Sequence, residues 1–305
     1  MKPNDFDDLE AEGLPLSNVQ DVAILMHREV HFGGKFDVML DYYVNEGKGV
    51  NPEFDLERIH ALAKLEKEMK TDLAPTLLSG ADAEKIAEAK TAYKKLRALY
   101  EKARPETKFL TLVADLILSE EIEPEQEIEA IVKEKGAIVP ALIELLKSEE
   151  FYDPLYPGYG MAPSLAAKCL GLIGDKRAII YLFEAIGQGD FFDEDIALTA
   201  LQAIGAPAKE FLLIVDHGRP LNEDNEKAAI ALIAFKDDEE VSKVCLEMLK
   251  DEQVRRDVPL STYLILACEG LKNPSDREDF QHLAKDAKTP KILAQDIHAV
   301  AKLWK

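Results

Sequence analysis

The chain has 305 residues, 47% hydrophobic but only 7% aromatic, and carries a net charge of −21. No basic stripe stands out for counterion release, so nucleic acid and anionic membrane surfaces are not expected partners; the surplus carboxylates read first as solubilising, and leave room for a basic protein partner. No apolar run is long enough to span a membrane. The start, "MKPNDFDDLEAEGLPL", lacks the basic-then-apolar pattern of an export signal. Cys169, Cys245 and Cys268 each lie in an apolar helical pattern and read as reduced core thiols of a cytoplasmic protein.

In chain order, residues 1–15 read as an acidic, mobile N-terminal segment, and residues 16–135 as an irregular helical region. Helical spacing runs through "SNVQDVAILMHREVHF" (17–32), "KFDVMLDYYVNEG" (35–47) and "FDLERIHALAKLEKEM" (54–69). "HREVH" places His27 and His31 one turn apart, a spacing that can hold a metal if Asp37 or Asp41 adds a carboxylate. Glu29 stands midway between them, where zinc-protease chemistry has no use for it, so two ordinary helix histidines and no metal or cofactor are expected. Ser79, three residues before Asp82, caps the next predicted helix, which sets Ile86, Tyr93, Leu96 and Tyr100 on one stripe. The polar "SEEIEPEQE" (119–127) is the expected boundary region.

From 136 onward the pattern repeats. "GAIVPALIELLKSEE" (136–150) reads as the second helix of a pair. "FYDPLYPGYGMAP" (151–163) then spends thirteen residues on one connection. Phe151, Tyr152, Tyr156 and Tyr159 offer stiff contact area there, and at least two exposed rings are expected if this loop anchors a partner. The competing reading folds the rings back to seal a groove. "AAKCLGLIGD" from Ala166, "ALTALQAIGA" from Ala197, "AAIALIAFKD" from Ala228 and "LILACEGLKN" from Leu264 share a column of small residues: Cys169, Ala200, Ala231 and Ala267. The column beside it holds Leu170, Leu201, Leu232 and Cys268, on the same helix face. Gly174 and Gly205 stand where a left-handed cap is wanted. A second apolar helix follows each segment, at 176–187, 207–216, 238–249 and 275–287, and "TPKILAQDIHAVAKLW" (289–304) closes as a first helix. The first two intervals are 31 residues; the last is 36, with an insertion around "KDEQVRRDVP". Neither helix of a pair can bury its face alone, so pairs stack on pairs, giving an all-α solenoid over 136–305. The acidic clusters "DFFDEDIA", "NEDNEKA" and "KDDEE" fall at helix starts and read as caps.

"LAAKCLGLIGDKRAIIYLFEAI" closely resembles the HEAT-like repeat first described in phycobilisome lyases, with its Leu-Gly-x-Ile-Gly-Asp ending and Arg-Ala opening. The resemblance covers roughly 136–304 and implies an α-solenoid; this repeat serves many scaffolds and few enzymes. In this family second helices line the concave side, where alignment puts Tyr181, Phe211 and Lys243 in one column, with Arg177 nearby. Deoxyhypusine hydroxylases of similar build carry His-Glu pairs, and none of the six histidines here precedes a glutamate. HEAT-like DNA glycosylases need a basic surface. The expected function is a non-enzymatic scaffold or adaptor that holds a protein partner through the solenoid surface and the 151–163 loop. The alternative is a HEAT-like enzyme, phycobilin-lyase-like with a tetrapyrrole-sized pocket, or metal-dependent through His27 and His31.

Overall fold

A computed structural model describes residues 19–45, 53–101, 107–187 and 191–304, the side chains of 191–193 excepted. The 1–15 segment lies outside these residues. All regular structure among the described residues is helical, and none of them lies in a strand. The chain divides into two compact units: residues up to Ala130 with Ser148–Pro163, and Ile131–Lys147 with Ser164–Lys305. The aromatic loop therefore groups with the N-terminal unit.

That first unit holds α1 (Val19–His31), α2 (Phe36–Val44), α3 (Leu56–Met69), α4 (Ala74–Leu77), α5 (Gly80–Glu101) and α6 (Lys108–Leu118), and α7 (Glu125–Lys133) leads out of it. Ile24, Leu25, Met39, Ile59 and Leu62 form its core, with Phe32 and Phe36 at the turn between α1 and α2. Arg28 is buried in the same region and is neutralised rather than exposed. Its guanidinium reaches Glu29 at 2.8 Å and Asp72 at 2.7 Å, pairs also with Glu66, and covers the Phe36 ring at 4.6 Å. Asp21, equally buried, takes both arms of Arg58 at 2.6 Å. Burying charge is tolerable only with such full pairing. Ser79 and Asp82 cap α5 reciprocally: Ser79 N–H donates to Asp82 at 2.8 Å, and Asp82 N–H to Ser79 Oγ at 3.3 Å. The buried face of α5 is Ile86, Ala89 and Ala92, so small alanines carry the contact, while Tyr93 and Leu96 are half-buried and Tyr100 is exposed.

The second unit is a succession of helices: α8 (Val139–Leu146), α9 (Ala162–Ile173), α10 (Ile179–Ala185), α11 (Phe191–Ile204), α12 (Ala206–Asp216), α13 (Glu223–Leu232), α14 (Glu239–Leu249), α15 (Glu252–Arg256), α16 (Val258–Ala267), α17 (Pro274–Leu283) and α18 (Lys291–Leu303). Contacts run in sequence order, α10 to α11, α11 to α12 and α12 to α13. First helices also meet first helices, α13 on α16 and α16 on α18, and second helices meet second, α8 on α10 and α14 on α17. Cys169, Ala200, Ala231 and Ala267 are all buried, as are Leu170, Leu201, Leu232 and Cys268. Smallness at that seam is required. A Cβ on Gly171 would stand 2.6 Å from Ala200 Cα, closer than atoms can pack. Gly174 and Gly205 have positive φ, 71° and 79°, but Gly205, with ψ −133°, opens α12 and does not take the left-handed cap expected of it. The insertion is the short α15. Asn222 and Asp238 accept from the backbone N–H groups of Asp224 and Glu240, both at 3.0 Å, so two of the acidic clusters serve as caps. The start of the third lies outside the described residues. Trp304 closes the succession, its Nε1–H donating to the Glu269 carbonyl at 2.7 Å.

Among the described residues no single helix is long and apolar enough to cross a membrane; the apolar α11–α12 pair bends by 115°. All three cysteines are free and buried. One acid inside this unit has no compensation. Asp216 is fully buried with neither carboxylate oxygen hydrogen-bonded, and burial pushes it from 3.8 up to about 7, against a pull from Arg219. Below about pH 3 it is mostly neutral whether folded or not. As pH rises from 4 to 7 the unfolded chain ionises first, so stability is lost across that window. The full shift corresponds to about 4 kcal/mol at most; relaxation, and the unmet groups of an asparagine, reduce what a substitution recovers. Asp216→Asn is expected to stabilise by about 2 kcal/mol at pH 8 and by little at pH 4, read from urea titrations at both pH values.

Candidate functional site

The column expected on the second helices is only partly on the surface. Tyr181 and Phe211 are half-buried: Lys147 lies over the Tyr181 ring at 5.6 Å, and Phe211 meets Phe183 edge-on at 5.5 Å. Buried pairs one turn apart, Ala178–Leu182, Ala208–Leu212 and Val241–Cys245, register these helices against each other. In that register Val244, one residue after Lys243, falls beside Tyr181 and Phe211. The two cations are already engaged. Arg177 holds Asp175 at 2.7 Å and the Gly136 carbonyl at 2.6 Å, and Lys243 pairs with Glu239 at 3.2 Å. Their neighbours behave alike: Lys209 bridges to Asp238 and Glu240, Lys250 to Asp279, and Arg255 to Asp286. What this surface leaves uncovered is apolar and acidic. On α10, Ile180 is 41% exposed with Glu184 one turn on; on α12, Glu210 is followed one turn on by Ile214, 74% exposed.

The 151–163 loop does not present its rings. Phe151 and Tyr152 are half-buried, Tyr156 is 9% exposed and Tyr159 3%, so the expectation of two exposed rings is not met. The cause is local. Gly158, Tyr159 and Gly160 take positive φ in succession, 85°, 52° and 82°, and this reversal carries Tyr159 inward. Gly160 cannot be replaced lightly, since a Cβ there would lie 2.9 Å from the Tyr152 carbonyl oxygen. Tyr156 packs with Leu155 against Ala89 and Ala92 of α5, its hydroxyl bonded to Glu88 at 3.2 Å.

Tyr159 lands on the histidines. Its ring stacks on His31 at 4.4 Å, His31 stacks on His27 at 5.1 Å, and His27 meets the edge of Phe54 at 5.0 Å. Tyr93 donates to Glu120 at 3.0 Å, so the 2.9 Å contact from His31 Nδ1 to the Tyr93 oxygen makes Nδ1 the protonated nitrogen. His31 Nε2 and His27 Nδ1 are buried without hydrogen-bond partners. Burial pushes His27 down to about 4, with Asp153 working the other way. Burial and then the neighbouring His27 push His31 down to about 3, partly offset by the backbone of Pro154 and Leu155. Both are neutral near pH 7. Among the described residues no three His, Cys, Asp or Glu side chains gather as a metal site. Asp37 is exposed on α2, and Asp41 accepts from Asn45 at 2.7 Å.

Of these rings His31, Tyr93 and Tyr159 line a cavity of about 560 Å³ in the first unit. Lys90, Lys94 and Arg97, on successive turns of α5, also line it, as do Val38, Asp41 and Tyr42 of α2. Glu120 is held above the usual carboxylate range by burial, while Tyr93 and Arg97 pull it down. Glu120, like Tyr159, sits at φ 52°, a left-handed backbone that costs a non-glycine residue free energy and collects at functional sites. The spacing "KTAYKKLR" carries the cations in plain view, but the acidic total hid them and the sequence reading passed them over. Neither a protein-family model nor a curated protein matches the chain.

Proposed function

We propose that the chain is a non-enzymatic, cytoplasmic interaction protein whose second unit is a HEAT-like α-solenoid holding a protein partner on its second helices. The repeated small-residue seam, buried at Cys169, Ala200, Ala231 and Ala267, supports the solenoid reading, and the buried free thiols support the compartment. One observation carries the binding reading: Ile180 and Ile214 stand out from consecutive second helices, each one turn from an exposed glutamate. Water-exposed isoleucine beside a carboxylate fits a partner segment with an apolar anchor flanked by lysine or arginine. Tyr181 and Phe211 form the floor between these anchors, and Arg177 and Lys243 a rim already tied to the chain's own acids.

The test is a double substitution, Ile180→Asp with Ile214→Asp, in the full chain. Both side chains are exposed, so the melt is expected to stay with the parent. Capture of the partner that the parent retains from its native cell is expected to fall tenfold or more, about 1.4 kcal/mol. Undiminished capture by a folded variant overturns this surface.

A further inference from the structure

The cleft beside Tyr159 gathers three cations of α5, Lys90, Lys94 and Arg97. Lys94 and Arg97 are exposed and have no ion-pair partner among the described residues, Arg97 resting over the Tyr93 ring at 5.5 Å. Lys90 is shared with Glu29 at 3.6 Å. Two acids share the lining, Glu120, which accepts from Tyr93 and lies near Arg97, and Asp41, which accepts from Asn45 at the exposed edge of α2, so the three cations outnumber them by one. The lining also carries apolar and ring surface: Val38 is 46% exposed, and Tyr42 is half-buried and hydrogen-bonded to Tyr159. About 560 Å³ is the size of a small-molecule site. Two backbone strains, at Glu120 and Tyr159, hold the two residues that shape its inner end.

We propose that this cleft binds a small planar organic anion, its carboxylate or phosphate held by Lys94 and Arg97 and its ring lying against Tyr42 and Val38. Cations and ring-bearing apolar surface in one cleft select a molecule that carries both a charge and a ring. An inorganic anion would find the charge but leave the apolar surface wet. A neutral aromatic would cover that surface but leave two cations unanswered. The site is independent of the partner-binding surface, which lies on helices of the other unit.

The experiment uses the full chain and four probes: 2-naphthoate, 2-naphthyl phosphate, neutral 2-naphthol and inorganic phosphate, followed by naphthyl fluorescence or by competition. Either naphthyl anion is expected to bind at least tenfold tighter than 2-naphthol, and inorganic phosphate to compete weakly. The tighter of the two anions tells carboxylate from phosphate. Lys94→Glu with Arg97→Glu, on an exposed helix face, is expected to weaken the anions at least tenfold with an unchanged melt. Ile180→Asp with Ile214→Asp is expected to leave them untouched. Equal binding of 2-naphthol, no binding of either anion, or indifference to the charge reversal each overturns the proposal. Should the double reversal fail to fold, Lys94→Gln alone, expected to weaken the anions about threefold, takes its place.

Discussion

Replacing Tyr156 and Tyr159 together by alanine is expected to destabilise the chain by about 5 kcal/mol, the largest effect of any substitution considered. Each ring is buried, Tyr156 against Ala89 and Ala92 and Tyr159 on His31. Truncating a buried aromatic costs about 3–5 kcal/mol, by lost transfer free energy and by the cavity left behind. The two sites share one loop, so the pair costs less than twice that amount. The loss has a further consequence. Without Tyr159 the His31 face opens to water, the ring chain through His27 to Phe54 loosens, and the inner end of the cleft loses its shape. Urea titration measures the effect directly. An early melt means that the loop is a plug of the first unit. A melt within a degree or two of the parent, together with a selective tenfold loss of partner capture, would restore the loop as an exposed anchor.

Ala200→Glu is expected to cost about 3–5 kcal/mol through a different mechanism. Ala200 is buried on α11, and the backbone of α9 at Gly171 lies against it so closely that even a methyl group on Gly171 does not fit. A glutamate there either brings an unpaired carboxylate into the seam or prises two helices apart. The same reasoning makes Gly171→Val destabilising and leaves a change at the exposed Leu172 nearly neutral. A thermal melt of Ala200→Glu within a degree or two of the parent would mean that the small-residue column is not a packing seam.

The repeat was readable because its physics is periodic. A residue that must be small at every helix crossing returns at a fixed interval, as Cys169, Ala200, Ala231 and Ala267 do, and the turn glycines return with it. The capping residues were readable for the same local reason. The first unit was less so. Its α5 buries Ala89 and Ala92, residues that announce no face, while the conspicuous Tyr100 of the same helix is exposed and donates to Asp115 at 2.7 Å. Whether an aromatic loop points out or in depends on what it folds against, and its own side chains do not say. One signal was present. "YPGYG" brackets Tyr159 with two glycines, and a bulky residue held between left-handed glycines is being turned toward something. The Lys90, Lys94 and Arg97 spacing was also in view, hidden by a net charge that averages over the whole chain.

The central claim, that the second helices of the solenoid hold a protein partner, is tested most directly by site-specific photo-crosslinking in the native cell. A photoreactive residue is placed in turn at Ile180 and Ile214 on the second helices, and at Leu172 and Leu303 on first helices; all four side chains are exposed. The account expects one discrete adduct of the same added mass from 180 and 214, lost at high salt, and none from 172 or 303. Adducts from 172 or 303 with none from 180 and 214 would contradict it.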